Sequence, residues 1–169
     1  INEEEFLLLQ KILKHVENIQ EKLNFKEKVL PFSSLLSAFG CYRIVKKLSL
    51  NKDSKIFEIG PGSGYTGALF NKEGFKYSST DNSQGFYLWQ SLIYKELDKN
   101  FDETLLNKDF KIFNNSNFSH LKWWEFAQVK DKIEKNDESA DLIICNHALG
   151  ELTKECLLYI IKISSKLLS

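Results

Sequence analysis

The sequence predicts an α/β fold in which a parallel sheet carries helices on both faces. Two observations support this prediction: short apolar runs alternate with helical segments from residue 55 onward, and a glycine-rich turn directly follows the first run. Strands that alternate with helices in this way are typical of βαβ units, whose strands are parallel. The 169 residues are enough for one domain with a hydrophobic core.

Two helices are predicted before the sheet. The first covers residues 3–24, where apolar side chains recur at helical spacing, and Asn2 is its expected N-cap. The second runs from about Phe32 to Leu48, directly after a proline. We expect residues 1–50 to form a helical lead-in that covers the pocket as a lid.

The sheet domain is assigned to residues 51–169. Each predicted strand is short and apolar, and each is followed by a segment with helical periodicity. The predicted strands are 55–59, 75–80, about 109–113 and 141–145, and the predicted helices are 64–73, 83–99, about 121–135 and 151–168. Residues 130–138 are interpreted as a charged, solvated connection.

Composition limits the possible partners. Lys plus Arg and Asp plus Glu are equal at 23 each, so the net charge is zero and no attraction to nucleic-acid phosphates is indicated. Since no apolar run reaches the length of a membrane span, we expect no membrane partner. Cys41, Cys145 and Cys156 lack metal-ligand spacing, which predicts reduced thiols, no metal site and a cytoplasmic location.

The segment around the first strand is the most informative part of the chain. Glu58 lies two residues before Gly60, and Gly62 and Gly64 follow at alternate positions. Glycines allow a ligand to approach the backbone closely, because no Cβ intervenes. The second apolar run ends at Asp81, beside this loop, where an acid can accept hydrogen bonds from ribose hydroxyls. These features predict a nucleoside pocket.

Two cofactor classes use a loop of this kind. A dinucleotide motif fits only when it is counted from Gly62 to Gly67, which places Pro61 in the strand, where it cannot donate to the ladder. The pattern acid-x-Gly-x-Gly-x-Gly fits when it is counted from Glu58, and it requires no glycine or proline inside the strand. A carboxylate there suits the ammonium and sulfonium charges of S-adenosylmethionine (SAM), so the sequence favours SAM over NAD.

These segments resemble the class I SAM-dependent methyltransferases. The matching segments are Phe57–Gly64, Ser79–Asp81 and Ala140–His147, which correspond to the first loop, the ribose acid and the fourth strand of that superfamily. The segments Asp81–Gln90 and Asn146–Glu151 are similar to uncharacterised bacterial members, some of them described as sugar O-methyltransferases.

The resemblance covers residues 52–168 and implies a Rossmann-like sheet with helices on both faces, preceded here by two N-terminal helices. The sheet of that superfamily has seven strands, whereas about four are predicted in this chain. We therefore expect an incomplete sheet and a chain that is a piece of a longer protein.

The resemblance also implies the cofactor-binding residues. Asp81 has an alternative interpretation as the N-cap of the following helix, and the two roles are compatible. The implied set combines the loop, the ribose acid with its neighbour, and the end of strand four: Glu58, Gly60, Pro61, Gly62, Ser63, Gly64, Asp81, Asn82 and Asn146.

The position after strand four is where the resemblance places the transferring methyl group. His147 is a candidate general base because an ordinary histidine pKa lies near neutrality, and Glu151 would orient it from one helical turn away. The alternative is that Asn146 and His147 cap the next helix. The amino-methyltransferase signature Asn/Asp-Pro-Pro-Tyr/Phe is absent, which disfavours transfer to an amide or base nitrogen.

We therefore expect in-line methyl transfer to a hydroxyl of a small, sugar-like molecule, in which alignment of the reactants provides most of the catalysis. The alternatives are a non-catalytic SAM-binding module and an NAD-dependent oxidoreductase.

The segment after the third predicted strand is expected to lie near adenine. Trp123 or Trp124 would stack on the base, or else pack in the core, and His120 is interpreted as a surface histidine. Three asparagines are candidates for contacts with adenine nitrogens: Asn114, Asn115 and Asn117.

Overall fold

The computed structural model describes residues 1–103, 111–113, 116–136, 138–146 and 148–168. Its strands are β1 (Lys55–Ile59), β2 (Lys76–Thr80), β3 (Asp102–Glu103), β4 (Phe118–Leu121) and β5 (Leu142–Ile144). They form one parallel sheet in the order β3-β4-β2-β1-β5. The predicted α/β fold with a Rossmann-like parallel sheet is therefore confirmed. β1, β2 and β5 correspond to predicted strands, whereas β3 and β4 were not predicted.

The helices lie on both faces of the sheet. They are α1 (Glu3–Lys22), α2 (Phe32–Val45), α3 (Tyr65–Phe70), α4 (Gln84–Leu97), α5 (Val129–Asn136) and α6 (Lys154–Leu167), with 3₁₀ segments at Asn71–Glu73, Trp123–Gln128 and Ala148–Glu151. Among the described residues, no helix combines the length and apolar character that a membrane crossing requires.

Strand alternation divides the core into two faces. Ile56 of β1 packs with helices α1 to α4, whereas its neighbour Phe57 packs with α5 and α6. A parallel strand that is covered on both sides is expected to be apolar at every position. β1 meets this expectation except at Lys55, its first residue, and at Glu58, which is buried on the α1–α4 side.

The two lead-in helices share the core of the sheet. Asn2 forms a capping box with Glu5 at the start of α1, as its position predicted. Along α1, Ile12 and Val16 are buried in the same cluster as Leu69 of α3. Residues of α2 also contribute to this cluster, so α1 and α2 are packed directly onto the sheet domain.

The predicted strand at 109–113 is wrong where the structure describes it, since residues 111–113 form no strand. Ile112 and Phe113 are buried, but their backbone N–H groups donate to the carboxylate of Glu138 at 2.9 and 3.2 Å instead of to a ladder. The apolar residues of this segment therefore indicate its burial and not strand pairing. Glu138 is itself buried, which corrects its assignment to a solvated connection.

β4, and not the predicted strand at 109–113, pairs with β2. This difference changes the assignments of His120 and Asn117. His120 lies within β4 and is fully buried, so its interpretation as a surface histidine is wrong. The backbone carbonyl of Asn117 accepts from Tyr77 N at the start of β2. Asn117 is therefore at the opposite edge of the sheet from Asp81, whereas Asn114 and Asn115 lie outside the described residues.

Helix α3 approaches the sheet closely at Gly67. A Cβ at this position would lie 2.5 Å from Cε1 of the Tyr77 ring. That ring is buried, and its hydroxyl is held by Glu58, so it has little freedom to move away. Gly67 is therefore required by the packing of α3 on β2.

We expect Gly67→Ala to destabilise the fold by about 1–3 kcal/mol, because overpacking outweighs the better helix propensity of alanine. Gly40→Ala is the matched control, since Gly40 is in the middle of α2 and a Cβ there would meet no atom within 4 Å. Urea denaturation should show unchanged or higher stability for the control. Equal stability of Gly67→Ala and the wild type would contradict the packing account.

Candidate functional site

The glycine loop connects β1 to α3. β1 ends at Ile59 and α3 begins at Tyr65, so Gly60 and Pro61 belong to the loop and not to the strand. Gly60, Gly62 and Gly64 all have positive φ angles, between 56° and 73°. Side chains are disfavoured in that region of backbone conformation.

The glycines meet different surroundings. A Cβ on Gly60 would lie 2.6 Å from the Cβ of Ala148, and one on Gly64 would lie 2.9 Å from Cγ of Gln90. A Cβ on Gly62 would meet no atom within 4 Å. Gly60 and Gly64 are therefore needed for packing, whereas the space beside the Cα of Gly62 is open.

A cavity of about 400 Å³ lies between the glycine loop and α2; we call it the α2 cavity. Its walls include Ser33, Ser34 and Ser37 of α2 on one side, and Glu58 and Asn146 at the ends of β1 and β5. Sites for small molecules are typically of this size, with a few polar groups that converge on the ligand.

A second cavity of about 170 Å³ lies on the α6 side of the loop; we call it the α6 cavity. Gly60 borders both cavities. Thr80, Asp81 and Asn82 give the α6 cavity a polar edge, and Phe126 contributes an aromatic wall. Both cavities open at the carboxyl ends of β1 and β2, where open α/β sheets bind ligands.

Glu58 is a buried acid in the wall of the α2 cavity. Its side chain is 1% exposed, and the Tyr77 hydroxyl donates to its Oε2 at 2.5 Å, with a further hydrogen bond from Thr66. Burial raises the pKa of Glu58 to about 7, although these two hydrogen bonds act in the opposite direction. The carboxyl group therefore exchanges a proton near neutral pH.

Asp81 joins three parts of the site. Its Oδ2 accepts from the backbone N–H of Gly62 and from Nε2 of Gln90, both at 3.1 Å, and its Oδ1 accepts from Ser83 N at 2.9 Å. A carboxylate offers about four acceptor positions, so about one remains for a ligand. Asn82, which is exposed beside it, borders the same cavity and offers a second polar group.

The two proposed catalytic residues are described only in part. His147 lies outside the described residues. Glu151 is exposed, ends the 3₁₀ segment Ala148–Glu151 and borders the α6 cavity. The predicted helix at 151–168 begins at Lys154 with Thr153 as its N-cap, so Asn146 does not cap it.

Several residues at the site were not predicted. Ser33 and Ser37 are four residues apart on α2, and this spacing places them on one helix face. Phe126 lines the α6 cavity, whereas Trp124 is 48% exposed and the side chain of Trp123 is not among those described. The serine spacing was visible in the sequence, but no pattern distinguished Phe126 from its aromatic neighbours.

His120 forms part of the support beneath the site. Its ring stacks on Tyr87 at a centroid distance of 3.9 Å, and its Nδ1 lies 3.1 Å from Oγ of Ser91. Burial lowers the pKa of His120 to about 3, so it is neutral at physiological pH. Among the described residues, no group of three or more His, Cys, Asp or Glu side chains is placed to hold a metal ion.

Comparisons with known proteins add a structural neighbour. No protein-family model matches the chain, and the search of curated proteins found no match. An X-ray structure of YjhP from E. coli is similar to this chain, with a TM-score of 0.49 and 12% sequence identity. The similarity covers 92% of this chain and 52% of YjhP, so the chain spans about half the length of that protein.

The raised pKa of Glu58 predicts a specific pH dependence of stability. Since the folded-state value of about 7 exceeds the ordinary value of 4.5, the native state binds this proton more tightly than the unfolded state does. Wild-type stability should therefore fall as the pH rises from about 4.5 through about 7. Glu58→Gln should remove this contribution.

Urea denaturation of the two proteins at pH 5 and pH 8 measures the effect. The stability of Glu58→Gln relative to wild type should rise by about 2.5 kcal/mol between these pH values. A difference between the two proteins that does not change with pH would show that Glu58 has an ordinary pKa.

Proposed function

We propose that this chain is a SAM-dependent methyltransferase that acts on a hydroxyl of a small, sugar-like molecule. The observation that carries the proposal is the loop of Gly60, Gly62 and Gly64. It directly follows β1, adopts backbone conformations suited to glycine, and separates two cavities at the carboxyl edge of the sheet.

The residues present suit an elongated ligand with a nucleoside end and an amino-acid end. The space beside the Cα of Gly62 is open, and a side chain at this position would occupy part of it. On the α6 side, Asp81 and Asn82 would hold ribose hydroxyls. On the α2 side, Glu58 and Asn146 would face the amino-acid end.

Bound SAM supplies a methyl group that its sulfonium has already activated. The task left to the chain is to bind and align the acceptor, which accounts for much of the rate of such reactions. Ser33, Ser34 and Ser37 give the α2 cavity three hydroxyls that can hydrogen-bond a polyhydroxylated acceptor. Glu58 can lose its proton as a cationic group enters, because a positive charge nearby favours the carboxylate.

The NAD alternative has one specific observation in its favour. Gly67 permits the close packing of α3 on Tyr77, which is the role of the third glycine in a dinucleotide-binding loop. The glycine immediately after the strand is nevertheless Gly60 and not Gly62. NAD is therefore included in the test.

Calorimetric titration tests the cofactor assignment. Wild type should bind SAM and S-adenosylhomocysteine and not NAD. Asp81→Ala should weaken both affinities by about tenfold or more, because it removes a charged acceptor that also positions Gly62. Asp141→Ala is the matched control, since the Asp141 carboxylate accepts a hydrogen bond from Lys55 N at the opposite edge of the sheet. Its affinities should stay within about twofold of wild type.

Three results would contradict the assignment: binding of NAD alone, no binding of any of the three ligands, or equal losses in both aspartate variants. SAM binding without turnover on any acceptor would favour the non-catalytic module.

The proposed base is tested separately from the cofactor. His147→Ala should keep the SAM affinity of wild type and slow methyl transfer to a sugar hydroxyl by about 10²- to 10⁴-fold, because the acceptor loses its general base. Formation of S-adenosylhomocysteine in the presence of a monosaccharide panel is the readout. His15→Ala, on α1, is the control histidine. Unchanged turnover at normal SAM affinity would remove the base assignment.

A further inference from the structure

Thr80 carries a buried hydroxyl group beside the α6 cavity. It is the last residue of β2 and is 3% exposed. Among the described residues, no hydrogen-bond partner approaches its Oγ1. Buried hydroxyls are normally paired, because a polar atom without a partner loses its bonds to water and gains nothing in return.

The surroundings of Thr80 would suit an apolar side chain. Side chains alternate between the two faces along β2. Tyr77 and Ser79 therefore lie on one face, and Thr80 lies on the other face, which α6 covers. Other residues that line the α6 cavity include Ile59, Leu152 and Ile160. Valine has nearly the same shape as threonine and would remove the unpaired hydroxyl. Packing therefore gives no reason for a hydroxyl at this position.

The α6 cavity gives a reason. Thr80, Asp81 and Asn82 form its polar edge, and Phe126 with Leu152 forms an apolar wall. A nucleoside presents a flat, largely apolar base together with ring nitrogens and hydroxyls, and therefore complements both surfaces. The α6 cavity is also next to Gly60, so a ligand there would touch the glycine loop.

We propose that Thr80 is a ligand-contacting residue, and that its hydroxyl forms a hydrogen bond with the nucleoside part of the ligand in the α6 cavity. The inference rests on the proposed function, because it assigns this cavity to the nucleoside end of SAM. It adds a residue that neither the glycine motif nor the acid at the end of β2 indicates.

The chain offers a matched control on the same strand face. Ser78 is fully buried, and its Oγ also has no hydrogen-bond partner among the described residues. Ser78 lies two residues before Thr80, and so farther from the carboxyl edge where the α6 cavity opens. Removal of the Ser78 hydroxyl should affect stability alone.

The experiment compares Thr80→Val, Thr80→Ser and Ser78→Ala with wild type by calorimetric titration of SAM and of adenosine. Thr80→Val should lose about tenfold or more in affinity for both ligands. Its melting temperature should be equal to or higher than that of wild type. Thr80→Ser, which keeps the hydroxyl, and Ser78→Ala should keep affinities close to wild type.

The outcomes separate this inference from the proposed function. If wild type binds neither SAM nor adenosine, both are contradicted. If wild type binds both and Thr80→Val binds them equally well, the Thr80 contact is contradicted and the SAM assignment stands. Equal losses in Thr80→Val and Thr80→Ser would show that the shape of the side chain matters and not its hydroxyl, which also overturns the inference.

Discussion

The site depends on the carboxylate of Asp81, which fixes the glycine loop before any ligand arrives. Its contact with Gly62 N ties the loop to the end of β2, and its contact with Ser83 N holds the residue whose side chain, in place of that of Asp81, is the N-cap of α4. Gln90, the seventh residue of α4, donates both to Asp81 and to the carbonyl of Gly62, at 3.1 and 2.6 Å. Loop, strand and helix are therefore held by one small buried network.

This network holds the glycine-rich loop in one conformation, although its glycines allow many. Glycine loses much conformational entropy when it is fixed, so a loop with three glycines needs specific contacts to hold one shape. Here Gly64 packs against Gln90, Gly60 packs against Ala148, and only Gly62 faces open space. A binding surface that is already ordered loses less conformational entropy when a ligand binds.

Glu58 and Thr80 lie on opposite faces of the sheet, and both depart from what packing alone would select. Glu58 interrupts an apolar strand, and its buried carboxyl is supported by Tyr77 and Thr66. Among the residues that the structure describes, none pairs with the Thr80 hydroxyl, and a valine would fit in its place. Departures from local consistency of this kind are expected at functional sites. Each of these residues borders one of the two cavities that meet at Gly60.

The sequence predicted the elements that carry a local signal. β1 and the loop follow from an apolar run that ends at glycine, β2 follows from the segment that ends at Asp81, and Asn2 is identified by its capping box. β4 carried no such signal, because its polar His120 is accommodated by a stack on Tyr87 and a contact with Ser91. These partners are distant in sequence, and no pattern in Phe118–Leu121 indicates them.

The cavities were less predictable than the loop. Ser33 and Ser37 are exposed polar residues on a helix, which is an ordinary composition, and only the packing of α2 on α3 brings them opposite the glycine loop. The feature that distinguishes Thr80 from Ser78 is its position at the α6 cavity, which likewise becomes visible only in three dimensions.

The most direct test of the account is to record amide NMR spectra of the ¹⁵N-labelled chain during titration with S-adenosylhomocysteine. The largest shifts are expected at Gly60, Gly62, Asp81 and Asn82, with smaller shifts at the start of α2. Perturbations confined to other surfaces, or no perturbation at saturating ligand, would contradict the assignment of this loop as a SAM site.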